Sequence, residues 1–330
     1  MVRIRHAWLV VALGVALAPI AACKKDTSGG DNAGGGKGGK SGNAIGDEDL
    51  ALLPRDSEVV LGINVAQVQQ SALWKQFVEP KLMSGDAMSK IAEFKTKCGI
   101  DPMSAVKSVS LGMKGAGGNK PDGVAVVHGM DKTKAMACLD AMKDEMAKDG
   151  TELSHEGDVV VLKNDKTGMH AALTYINDTT ALAVFDEQTS AASLKAAQAG
   201  GQALKSSQPF LDMYKKINTG DSLWILLSGK ALEKGAALGL KANAVYGSFN
   251  VTDGLALDLR MRFESPDEAT KFAQLGQSQA KQAAKMFDKI DITPDGSEVK
   301  FSIALSNQKL KDLIAQFAGL AGAFGGMGGP

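Results

Sequence analysis

Apolar residues recur along this chain at two spacings, near two and near 3.6, and the stretches where each holds predict its elements. The run Glu58 to Val65 (EVVLGINV) reads as a strand, with Leu53-Pro54-Arg55-Asp56 as punctuation before it. Ser71 is placed to cap a helix carrying Leu73, Trp74, Phe77 and Val78, and Pro80 is expected to end it. A second helix is predicted from Asp86 to Cys98. Strands follow over Val106 to Met113 and Val124 to His128, then a helix from Asp131, its cap, to Lys148. Val159 to Lys163, Met169 to Ile176 and Thr180 to Phe185 read as a meander, because Asn164-Asp165-Lys166-Thr167-Gly168 and Asn177-Asp178 are turn sequences. A helix from Glu187 to Gln198 stops at Gly200-Gly201.

The rest of the pattern echoes the first part. Asp221 to Ser228 (DSLWILLS) parallels Asp56 to Ile63 (DSEVVLGI). Asp122-Gly123-Val124-Ala125-Val126, with a helix after it at Asp131, parallels Asp253-Gly254-Leu255-Ala256-Leu257 with a helix at Ser265. Gly157-Asp158-Val159-Val160 matches Gly296-Ser297-Glu298-Val299. The offsets differ, so a duplication requires insertions in the first copy. Ser265-Pro266-Asp267-Glu268 spells a capping box with Pro at the first helical position, leading a face of Ala269, Phe272, Gly276, Ala280, Ala283 and Phe287. Leu310, Leu313, Ile314, Phe317, Leu320 and Phe324 draw a further apolar stripe. Interleaved helices and hairpin turns imply an α+β fold with mainly antiparallel sheets, each covered by helices on one face, in two similar units. The expected limits are 49–201 and 202–324, with a frayed tail at 325–330.

The N-terminus follows a different pattern. Arg3 and Arg5 precede an apolar run from Trp8 to about Ala18 that ends in small residues, the layout of a secretory signal over residues 1–22. It is too short for a membrane span, which needs about 20 apolar residues. Ile20-Ala21-Ala22-Cys23 resembles the lipobox of bacterial lipoproteins. That resemblance implies acylation of the Cys23 thiol, cleavage before it and anchoring in a membrane of the cell envelope. Lys24 stands where this family commonly carries the Asp of inner-membrane retention, which favours the outer membrane. The folded body also resembles, loosely, uncharacterised duplicated α+β domains of bacterial envelope lipoproteins, which implies no activity. Residues 24 to about 46 hold nine glycines and almost no apolar side chain, so 23–48 reads as the lipidated cysteine and a flexible tether. Such a tether spans about 25 Å.

Charge and cysteines narrow the picture further. Removing residues 1–22 takes away Arg3 and Arg5 and leaves 35 basic against 37 acidic residues, a net charge of −2 with no nucleic-acid footprint. Aromatics are only 5%, so the core must be built from Ala, Val, Leu and Met. With Cys23 taken by the anchor, Cys98 and Cys138 form an even pair in an oxidising compartment and are expected to bond, two buried free thiols being the alternative. Ile91, Phe94 and Cys98, like Ala135, Cys138 and Met142, recur at helical spacing and should point inward.

No reactive constellation is legible. Ser104-Ala105-Val106-Lys107 and Lys166-Thr167-Gly168 spell the SxxK and KTG motifs of penicillin-binding proteins, but the first runs into a strand and the second lies in a turn. His128, His155 and His170 lack metal-ligand spacing and read as edge or surface residues. Asp140, Asp144 and Glu145 belong to the solvated side of a Lys-rich helix, and Gly115-Ala116-Gly117-Gly118 to a hairpin loop. The expectation is a non-enzymatic, envelope-anchored lipoprotein with no catalytic, cofactor or metal site, a protein-binding or structural role, and an envelope protein and the membrane as partners. A carrier or sensor of an apolar small molecule, held between a sheet and the Leu310-to-Phe324 helix, is the alternative. A hydrolase bringing a Ser or Asp to a body histidine is the third.

Overall fold

The β-branched run after Pro54 forms β1 (Val59–Ile63), and all five of its residues are buried, as a strand at the middle of a sheet requires. The computed structural model describes Gly46 and residues 48–115, 122–186, 188–199, 203–233 and 241–313. Expectations for the signal, Cys23, most of the tether, Gly200-Gly201, Ile314 to Phe324 and the tail lie outside these residues, as does most of the Gly115–Gly118 loop.

Among the described residues, twelve strands join in one antiparallel sheet. Six follow β1 in the first unit: β2 (Ser108–Lys114), β3 (Asp122–His128), β4 (Glu152–Glu156), β5 (Val159–Asn164), β6 (Met169–Asn177) and β7 (Thr180–Phe185). The second unit holds β8 (Leu223–Ser228), β9 (Ala244–Asn250), β10 (Leu255–Arg262), β11 (Lys289–Asp295) and β12 (Glu298–Leu305). Their spatial order is β11-β12-β10-β9-β8-β1-β2-β3-β7-β6-β5-β4. The α+β class and the antiparallel pairing are as expected. The units share one sheet, however, because β1 pairs with β8, Leu61 opposite Ile225.

The strand order repeats outward from that junction. Each unit runs three strands in meander, crosses over by a long helix to an outer edge, and returns through a hairpin turning at Gly157 or Gly296. In the second unit the returning β12 pairs with β10; in the first, β6 and β7 stand between β5 and β3. Two of the sequence matches are one residue out of phase with this repeat. Val60 faces the side of the sheet that Trp224 and Leu226 share, yet aligns with Ile225, which faces the other. A one-residue slip exchanges the two faces of a strand, so the units correspond in topology and not residue by residue.

The helices divide between the faces. On the back, α2 (Gly85–Cys98) and α3 (Lys132–Lys148) cover the first unit and α6 (Pro266–Ala283) the second. The caps read from the sequence form: Asp131 accepts from Lys134 N at 2.9 Å, Ser265 from Glu268 N at 3.3 Å. On the front, α4 (Ala191–Ala199) and α5 (Gln208–Tyr214) set Leu194, Phe210 and Met213 on Val126, Leu182 and Trp224. The first unit is thus covered on both faces.

Coverage shows in a single row across the front. Val161, Ala172, Val184, Val124, Gly112, Val60, Leu226 and Tyr246 lie side by side from β5 to β9, and the row continues as Arg260, Lys300 and Thr293. The front face therefore turns from apolar to charged between β9 and β10. Gly112 serves a second purpose in that row: an added Cβ would lie 2.7 Å from Ser57 Oγ and 3.2 Å from Leu53, so glycine lets the N-terminal strap lie on the sheet.

One helix boundary differs from expectation. Ser71 Oγ does accept from Trp74 N at 3.1 Å, but the chain widens to a π-turn over Trp74–Val78 and Pro80 opens the next turn, Glu79–Leu82. The helical run does not stop at Pro80: it continues unbroken over 72–82, with the π-turn directly before the proline.

Candidate functional site

Three places bring chemistry-bearing side chains together. The first lies where the N-terminal strap crosses the front face. The strap starts in a single turn, Asp49–Ala51, and buries Leu50 and Leu53 in the front core. That burial carries the Asp49 carboxylate under the sheet surface, where its oxygens lie 3.0 and 3.1 Å from His128 Nε2. Ser110, opposite Val126 on β2, donates its hydroxyl to the same carboxylate. On the far side of the ring, His128 Nδ1 lies 3.2 Å from Thr180 Oγ1.

Thr180, His128 and Asp49 thus stand in the order hydroxyl, imidazole, carboxylate that activates a nucleophile. Their surroundings suit a clasp. Ser110 and Asp49 are buried, Thr180 is 8% exposed, and the amides of Gly129 and Lys132 nearby are spent on Thr179 O and Asp178 O. The Asp49 hydrogen bond holds the His128 imidazole above its usual range, against burial and with help from the charges of Asp49 and Glu48. Sequence reasoning singled out His128 as an edge or surface residue and passed over Asp49. No local pattern joins residues 79 apart.

Of the other two body histidines, His155 sits at the surface and meets Asp140 at 2.8 Å, while His170 is partly buried and meets the exposed Asp165 at 3.2 Å. Among the described residues no group of three His, Cys, Asp or Glu is placed to hold a metal ion.

The second place is a helical lobe spliced between β1 and β2. It runs from the short helix α1 (Val65–Gln70) through α2, and Cys98 is bonded to Cys138 of α3. Phe94 and Met142 pack around this bond, while Lys97 meets Glu145 at 2.6 Å and Lys95 meets Asp101 at 3.0 Å. Between Ser71 and Cys98 no residue is buried.

The third place is the open front face of the second unit. Glu298, buried on β12, accepts from Lys216 Nζ at 2.9 Å, from Arg262 at 2.7 and 3.0 Å and from Arg260 at 3.2 Å. Burial alone would raise its carboxyl; the bonds from Lys216 and Arg262 outweigh burial and bring it down to about 2. Arg262 also lies 5.8 Å over the Tyr246 ring. Beyond this network, a groove of about 530 Å³ is lined by Asp221, Asn250, Asp253, Asp258, Lys289 and Ser302. Asp221 is held there by Ser248 at 2.6 Å and Asn250 at 3.0 Å.

No known family matches the chain, and no curated protein is similar to it in sequence. Two crystal forms of TP0453 are similar in structure. Form III aligns with a TM-score of 0.49 at 10% identity over 81% of this chain and 97% of that one; form I aligns at 0.44 and 11% over 81% and 96%. Both scores are too low for the likeness to bear on function. Among the described residues no helix is long and apolar enough to cross a membrane.

Proposed function

We propose that this chain is a non-catalytic protein of the cell envelope, anchored by a lipid on Cys23, with the outer membrane favoured, whose body binds a protein partner. The clasp carries the reading. The most enzyme-like constellation in the body, Thr180-His128-Asp49, fastens the strap next to the tether onto the sheet, and its hydroxyls are buried. The open front face of the second unit supports the binding role, since Lys300, Asp258 and the groove beside them offer mixed charge and hydrogen-bonding groups on a rigid sheet. Lys300 and Asp258 pair at 3.2 Å and remain half-exposed.

A photo-crosslinking side chain at Lys300, in cells carrying the full chain, tests this. A discrete adduct, absent when the crosslinker replaces exposed Met169, supports partner binding. Hydrolysis of an ester or amide by the pure protein, abolished by Thr180→Ala, would overturn the non-catalytic reading.

A further inference from the structure

The lobe between β1 and β2 exposes Val78 by 37%, Met83 by 49% and Met88 by 54%, three of the most exposed large apolar side chains among the described residues. Trp74, Phe77 and Ile91 lie beside them in sequence and are only half-buried. Water drives such side chains together or into a core unless the backbone is restrained. Here it is: the Cys98–Cys138 bond and the Lys97–Glu145 pair fasten the end of α2 to α3.

Position says what this surface meets. The chain leaves β1 after Ile63 and rejoins the sheet at Ser108, whose register partner is His128. His128 also grips Asp49, the point at which the tether leaves the body. The lobe and the tether therefore emerge at the same end of the sheet. Residues 72–98 carry Lys75, Lys81, Lys90, Lys95 and Lys97 against Glu79, Asp86 and Glu93, and Asp101 and Glu145, which pair with Lys95 and Lys97, bring the lobe and its surroundings to charge balance.

We infer that the lobe is a lipid-contact surface: Val78, Met83, Met88 and Trp74 enter the headgroup boundary of a bilayer. This rests on the anchored reading of Cys23, because the tether brings that end of the sheet to within about 25 Å of the membrane. Apolar side chains buried at the acyl boundary hold peripheral helices at a membrane surface in proportion to the apolar area they bury. Together, anchor and lobe would hold the body in one orientation.

The test uses the chain from residue 24 onward, which keeps every described residue and lacks the acyl chains. Two tryptophans remain, and Trp224 is fully buried, so quenching by brominated lipid reports on Trp74. Vesicles of phosphatidylglycerol and of phosphatidylcholine should both sediment the protein, to within about threefold of each other, and brominated lipid in either should quench its emission. Met83→Glu with Met88→Glu, both at exposed positions, should weaken binding about tenfold. Met169→Glu with Leu275→Glu, exposed elsewhere, should leave it unchanged. Equal loss in both pairs, no loss in the first, or absence of binding to either vesicle overturns the inference. So does a dimer in solution that Met83→Glu and Met88→Glu dissociate, which would give the surface to a second copy. Mass spectrometry for acyl groups on Cys23 in cells tests the anchor separately, so either idea can fail alone.

Discussion

The two units share a strand order and differ in what lies on their front face. In the first, the strap, α4 and α5 cover Val124, Val126, Leu182 and Val184, and the sheet is buried on both sides. In the second, the row stays apolar and buried at Leu226 and Tyr246 and then becomes Arg260, Lys300 and Thr293 on the outer strands, with Glu298 holding Lys216, Arg260 and Arg262 beside it. One topology is thus held by apolar burial in one place and by a charge network in the other. The second solution leaves a face open to solvent, and the proposed partner contacts fall there. A further contrast is the lobe and its disulfide, found in the first unit.

The largest test of this contrast is the disulfide. Its loop closes over 40 residues, so replacing Cys98 and Cys138 by Ser should destabilise the protein by about 4 kcal/mol in denaturant unfolding. Hydrogen exchange should quicken over residues 72–97 and leave β8 to β12 as before. Uniform quickening would mean that the lobe is integral to both units.

Next comes the pair Leu182→Ala and Lys300→Ala. The first empties a fully buried site and should cost about 3 kcal/mol; the second, on the open face, about 0.5 kcal/mol at most. Similar costs would erase the distinction between the faces. Glu298→Gln should cost about 2 kcal/mol, because it leaves Lys216, Arg260 and Arg262 facing one another without their shared carboxylate.

The smallest effect is on pH dependence, and the units respond in opposite directions. His128 has its folded pKa raised above 6.5, so the clasp's contribution is full below that value and lost as pH rises through the raised one. Glu298 titrates at about 2 when folded against 4.5 unfolded, so its contribution is full above 4.5 and lost as pH falls towards 2. Thermal stability between pH 6 and 8 should fall with rising pH, and His128→Gln should flatten that slope. A slope of the opposite sign would contradict the clasp.

Most of the central strands were legible because their runs are β-branched: Val59–Ile63, Val124–His128 and Thr180–Phe185 need no context to read as buried strands. The outer strands were not. Edge strand β4 reads Glu-Leu-Ser-His-Glu and edge strand β11 includes Pro294 among charged residues, the composition that keeps an edge from pairing with another chain. It is also the composition of a loop, so both passed unnoticed. Strand β9 carries Gly247, Ser248 and Asn250 and went unseen for the same reason. Of the polar clusters, none was legible: Asp49 meets His128 across 79 residues, and Glu298 meets Lys216 across 82.

Local spacing alone was enough to determine the α+β class and the capped helices at Asp131 and Ser265, because these depend on contacts within a turn or on the period of a strand. Only the assembled sheet decided which face each residue occupies, that β1 and β8 fuse the units, and that a strap carboxylate ends beneath a histidine. Such outcomes depend on register and on coverage from distant segments. A change of one residue in register reverses them without altering the spacing pattern of any strand.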